Sequence, residues 1–118
     1  MKIRIKGNSI RLRLSQEQVT ALVNEGSVTQ SCELVGGVFN YKISNADVNE
    51  ISVKISGSEI ECVMPSTLLE GWDTDTRVGF DHEMPNGTFV LVEKDFKCLI
   101  ERTHEDETDL YPNPRANQ

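Results

Sequence analysis

The sequence predicts a single α+β domain, built on a mostly antiparallel, strongly bent sheet or partial barrel, with one main helix after the first two strands. Three observations carry this reading: period-two alternation of apolar and polar residues in several short runs, one capped segment with helical spacing, and Gly/Asn turn chemistry between the runs. At 118 residues the chain has the size of one domain and can bury a core without disulfides or metals. Residues 1–102 form that domain, and 103–118 an acidic, proline-containing, loosely ordered tail.

Residues 2–6 and 9–14 both alternate aliphatic with charged side chains, which places Ile3 and Ile5 on one face and Ile10, Leu12 and Leu14 on the next. Gly7, Asn8 and Ser9 separate the runs, so the pair is either a hairpin or one strand kinked at a bulge. Ser15 with Gln18 is a capping box, Val19, Leu22 and Val23 follow at helical spacing, and Gly26 suits a helix terminus, which predicts a helix over 16–25. Strand patterns resume over 27–35 and 38–44 around the Gly36 and Gly37 turn.

After a polar loop at 45–50, Ile51, Val53 and Ile55 alternate with polar residues. A turn at 56–58 leads into Glu59–Met64, a second hairpin. Pro65–Gly71 fits a short helical turn, with Ser66 as its cap, that leaves Trp72 to cover the core. Residues 76–83 and 88–93 flank Pro85, Asn86 and Gly87, a hairpin turn. Lys94–Ile100 reads as a strand with a bulge. Six to eight strands result. Hairpin pairs recur, but no internal repeat of fixed period stands out.

Apolar residues are 37% of the chain and charged residues 26%, ordinary for a globular protein. No apolar run approaches the ~18 residues of a membrane span, and cations interrupt any secretory leader, so a cytoplasmic protein without membrane association is expected. Cys32, Cys62 and Cys98 are odd in number and widely spaced, which favours buried free thiols over disulfides or zinc. The net charge of −7 is uneven: residues 1–14 carry +5 and the remainder −12. Phosphate affinity comes from cations that release counterions, so a chain this acidic is not a general nucleic-acid binder. A polyanion contact must be local.

The local candidate is the N-terminal strip. With the aliphatics inward, Lys2, Arg4 and Lys6 share one sheet face with Arg11 and Arg13. Five like charges on adjacent strands need acidic neighbours or an anionic ligand. Glu59 and Glu61, with Asp81 and Glu83, are the acids expected to pair with them across strands. The functional reading makes Lys2, Arg4, Lys6, Arg11, Arg13 and Lys54 ligand-binding residues for phosphate or carboxylate. Gly7, Asn8 and Ser9 could add backbone amides as a nest. His82 is in phase with Val78 and Phe80 and is expected to be a satisfied core residue. No serine or cysteine stands in an activated nucleophile motif, so no catalytic residue is assigned. His104, Glu105, Asp106, Glu107 and Asp109 read as a solvated acidic tail, not a calcium loop.

The stretch from Ile3 to Leu14, the segment from Leu91 to Leu99 and the tail around Tyr111, Pro112, Asn113 and Pro114 resemble a family of short bacterial proteins described only as a domain of unknown function. That resemblance spans the chain; it implies a bacterial source and no activity. Lys2, Arg4, Lys6, Arg11, Arg13, Lys54, Glu59 and Glu61 are also similar in kind to the inward charges of CYTH, or triphosphate tunnel, enzymes. This second resemblance implies a triphosphate hydrolase using Mg or Mn, with Glu59 and Glu61 as metal ligands. The family's opening Glu-x-Glu-x-Lys is replaced at its glutamates by Lys2 and Arg4, and 118 residues is short for a closed tunnel unless a homodimer completes it. The expected function is therefore a non-catalytic binding module for a small anionic ligand or acidic partner, without cofactor. Tunnel-type hydrolysis is the alternative.

Overall fold

The structure, a computed structural model, describes residues 1–96. Its elements are β1 (Lys2–Lys6), β2 (Ser9–Leu14), α1 (Gln16–Glu25), β3 (Ser27–Leu34), β4 (Gly37–Ala46), β5 (Ser52–Ser56), β6 (Glu59–Pro65), α2 (Ser66–Leu69), β7 (Gly79–Glu83) and β8 (Phe89–Lys94). The strands form two four-stranded sheets, ordered β1-β2-β8-β7 (sheet A) and β3-β4-β6-β5 (sheet B). The expected Lys94–Ile100 strand falls mostly outside the described residues, as do Cys98, His104 and the tail. Among the described residues no helix is long and apolar enough to cross a membrane.

Local signals produce local structure as anticipated. Ser15 and Gln18 form the reciprocal capping box, and Gly26, at φ 98°, ends α1 in the left-handed region. Gly7 and Gly57 take nearly the same turn conformation, φ 53° and 58°, which a side-chain-free residue adopts without strain. Residues 2–14 are a hairpin, not a kinked strand. At α2 the cap differs from expectation: Pro65 is the N-cap and supplies no side-chain bond. The Ser66 hydroxyl instead donates to Asn45 Oδ1 and the Ala46 carbonyl, 2.6 and 2.9 Å away.

The sheet prediction needs correction. Among the described residues there are two mixed sheets in place of one bent sheet or partial barrel, and no closed barrel. The four hairpins are antiparallel, but each sheet is joined at its centre by a parallel pair, β2 with β8 and β4 with β6. The physical reason is that α1 carries the chain from sheet A to sheet B, so the second neighbour of β2 comes from the far end of the sequence. Parallel partners need such crossovers and leave no turn signature.

The topology also exposes a repeat that the sequence hides. The order β1-β2-α1-β3-β4 recurs as β5-β6-α2-β7-β8, and exchanging the two halves turns sheet A into sheet B. Fifty residues separate Ile3 from Val53, Ile5 from Ile55, Gly7 from Gly57, Ile10 from Ile60, Leu12 from Cys62 and Leu14 from Met64. The same offset relates the buried Val19 and Leu22 of α1 to Leu69, at the end of α2, and to Trp72, in the turn that follows it. Apolar character is what these slots share.

One apolar cluster draws on both sheets and both helices, with Leu12, Leu14, Val90 and Val92 from sheet A, Ile43, Cys62 and Met64 from sheet B, and Val19, Leu22, Leu69 and Trp72 closing one end. Trp72 is fully buried, lies 5.0 Å from the Phe80 ring between centroids, and donates its indole N–H to the Arg77 carbonyl at 2.9 Å. Truncating a buried indole removes its transfer free energy and leaves a cavity, together about 3–5 kcal/mol. Trp72→Ala is therefore expected to remove about 3–5 kcal/mol of the roughly 5–15 kcal/mol available to a domain, and Trp72→Phe much less. Urea unfolding followed by circular dichroism measures both.

Candidate functional site

The basic strip forms as the alternation requires. In β1 and β2, Lys2 stands opposite Arg13, Arg4 opposite Arg11, and Lys6 opposite Ser9, so all five cations share the outer face of sheet A. The next strand, β8, sets Glu93 beside Arg13 and Leu91 beside Arg11. Glu93 Oε1 accepts from Arg13 Nε at 2.7 Å and lies 3.7 Å from Arg11 Nε. Lys2 pairs with Asp95 at 2.9 Å. Among the described residues, Arg4 and Lys6 make no ion pair. Lys2, Ile3, Arg4, Arg11 and Arg13 surround a shallow depression of about 170 Å³.

The neutralising acids are thus not the expected ones. Glu59 and Glu61 lie on β6, in the other sheet. Asp81 and Glu83 do share the outer face of sheet A, but stand beyond β8, against Leu91 and Phe89. Glu93 and Asp95 are within reach because β8 runs parallel to β2, a long-range pairing with no local signal.

Lys54, Glu59 and Glu61 lie on the outer face of sheet B, apart from the strip. Glu61 is the centre of its own cluster: Lys54 Nζ is 3.4 Å from Oε1, Lys42 Nζ is 4.0 Å from Oε2, and the Ser44 hydroxyl donates to Oε2 at 2.7 Å. The Ser44 bond, followed by the two ammonium groups, holds the Glu61 carboxyl below its ordinary value of 4.5. Lys42 and Ser44 were missed by sequence reasoning because they reach Glu61 through the parallel β4–β6 pairing. Among the described residues, no group of three or more His, Cys, Asp and Glu is placed to hold a metal ion.

The remaining candidates divide. The turn at Gly7, Asn8 and Ser9 braces the neighbouring β7–β8 tip: the Asn8 carbonyl accepts from Phe89 N–H at 3.0 Å and its Oδ1 from the Thr88 hydroxyl at 3.2 Å. His82 is mostly enclosed, but among the described residues its Nε2 has no hydrogen-bond partner; Glu50 Oε2 lies 4.0 Å away. It is not the satisfied core histidine expected. Cys62 is buried, and burial pushes its thiol up to about 12, which makes it unreactive at neutral pH. Cys32, expected to be buried, is exposed, because the β3–β4 hairpin outruns the layer that would cover it.

The chain belongs to a family of unknown function, DUF7009, whose model matches residues 1–115. No curated protein matches it.

The Glu61 cluster has a pH consequence. A carboxyl whose folded-state pKa is depressed contributes stability above its unfolded value and loses it as pH falls through the folded value. Stability should therefore fall as pH drops below about 4.5, and Ser44→Ala should shrink that Glu61-dependent part of the decline. Unfolding free energies of both proteins between pH 6 and pH 3 read the difference.

Proposed function

We propose that this chain is a non-catalytic binding module whose sheet A face takes the phosphate or carboxylate group of a small anionic ligand or an acidic partner. The observation that carries the reading is the Arg4–Arg11 pair, two guanidinium groups in direct cross-strand register beside a depression. Like charges directly opposite are unfavourable. Among the described residues Arg4 has no ion pair, and Glu93, the carboxylate beside Arg11, is already bonded to Arg13. An incoming anion supplies the missing counter-charge, and a guanidinium meets phosphate or carboxylate oxygens through two parallel N–H bonds. Leu91 is the β8 neighbour of Arg11, whose acid is the shared Glu93 at 3.7 Å.

Tunnel-type hydrolysis asks the cations and the carboxylates Glu59 and Glu61 to converge on one triphosphate and its metal. Here the two sets occupy outer faces of different sheets, which favours binding over turnover.

Inorganic phosphate and tripolyphosphate, without magnesium, are expected to raise Tm. At a ligand concentration a hundredfold above Kd, linkage contributes about 2.7 kcal/mol, a shift of several degrees. Arg4→Gln with Arg11→Gln should abolish the effect, and Lys54→Gln should leave it intact. No shift, or one that survives the double substitution, would exclude this site. Phosphate release that needs Mg²⁺ or Mn²⁺ and disappears in Glu61→Ala would transfer the assignment to the hydrolase.

A further inference from the structure

The end of the molecule opposite the helices is open and apolar. Along β2 and β6 burial declines towards the hairpin tips: Leu14 and Met64 are buried, Ile10 is partly covered, and Ile60 is just at the limit of burial. At the tips Ile5 and Ile55 are 56% and 70% exposed. Between them lies a cleft of about 280 Å³ whose apolar lining is Ile5, Ile10, Val53, Ile55 and Ile60, with Asn8, Ser9, Lys54 and Thr88 on its polar wall.

At the same end the β3–β4 hairpin projects as an arm. Asn40 N–H bonds the Ser58 carbonyl, so Asn40 is level with the β5–β6 turn. The strands continue about three residues further, roughly 10 Å at 3.3 Å per residue. Residues 29–38 are all exposed. No charged residue occurs from Leu34 to Tyr41, and Leu34, Val35 and Val38 are 62%, 108% and 43% exposed. The matching hairpin of the second repeat, β7–β8, has strands of five and six residues against eight and ten. Sheet A is complete with the shorter hairpin, so the β3–β4 extension is not needed to complete a sheet.

Of the nine large hydrophobic residues exposed among the described residues, six (Ile5, Leu34, Val35, Val38, Ile55 and Phe89) lie at this end. Contiguous exposed apolar surface marks an interaction site. A hairpin tip and a cleft that are both apolar, at one end of one chain, suit a second copy related by two-fold rotation, because each surface then meets the other twice. Glu33 stands at the base of the tip, and Lys54, which is two-thirds exposed while paired with Glu61, stands at the cleft.

We propose that the open end is the interface of a homodimer, with Leu34 and Val35 of each copy seated in the Ile5/Ile55 cleft of the other. Sedimentation velocity of the full chain from micromolar to millimolar concentration should show a monomer–dimer equilibrium. Val35→Asp and Ile55→Asp should each weaken it on the order of tenfold or more, with circular dichroism unchanged and, at concentrations where the wild type is monomeric, Tm unchanged because both positions are exposed. Mixing the two variants should restore dimer beyond either alone, since the mixed pair keeps one intact tip-in-cleft contact and gathers both defects into the other. A chain that stays monomeric throughout, a dimer indifferent to both substitutions, or a mixture that recovers nothing would overturn the proposal.

Discussion

The parallel pairing of β2 with β8 is the constraint on which the rest of the structure depends. It joins the first hairpin of the chain to the last, and its counterpart, β4 with β6, joins the two middle hairpins. Neither half of the repeat can finish a sheet alone, because each contributes one hairpin to sheet A and one to sheet B. The inner positions Leu12, Leu14, Val90 and Val92 leave water together only once this pairing has formed. On the outer face the same register brings Glu93 to Arg13 and stops one position short of relieving Arg4. The fold and the electrostatics of the strip therefore share a cause.

How much of this was legible in the sequence follows from the range of each interaction. The α1 boundaries were readable because Ser15, Gln18 and Gly26 act within a few residues of their targets, and the hairpins because turn chemistry at Gly7, Gly57 and Asn86 is equally local. Which hairpin lies beside which was not readable, since Arg13 and Glu93 are eighty residues apart and nothing near either announces the other. The single bent sheet was the natural extrapolation from consecutive hairpins, and α1 breaks it by crossing between layers. The five cations were placed correctly on one face by alternation alone, whereas their acidic partners were misassigned for lack of the parallel register.

The repeat escaped notice for a related reason. Core slots constrain only apolarity and volume, so Leu12 and Cys62, or Leu22 and Trp72, can fill equivalent places. Outer positions carry no such constraint, and there the halves have parted: Arg4 corresponds to Lys54, Arg11 to Glu61 and Arg13 to Val63. Sheet B therefore centres its outer face on a carboxylate ringed by Lys42, Lys54 and Ser44, satisfied from within. Sheet A centres the equivalent face on guanidinium groups that share one carboxylate. Identical topology with opposite central charge locates the candidate chemistry in side chains that the fold does not require.

The same comparison separates structural from dispensable features at the ends of the molecule. At the helical end both repeats bury their aliphatic slots completely, and Arg77 ties the segment after α2 in place by donating to the Leu68 and Glu70 carbonyls. That end is closed by the chain itself. At the other end Ile5 and Ile55 occupy equivalent positions on the edge strands β1 and β5, and neither repeat supplies a cover. Edge strands that carry exposed aliphatics are a liability when left open, and charged or shortened tips would remove it at little cost to the core. Retaining isoleucine at both tips, next to an uncharged arm that only one repeat possesses, is the pattern expected of a surface whose cover arrives from outside the fold.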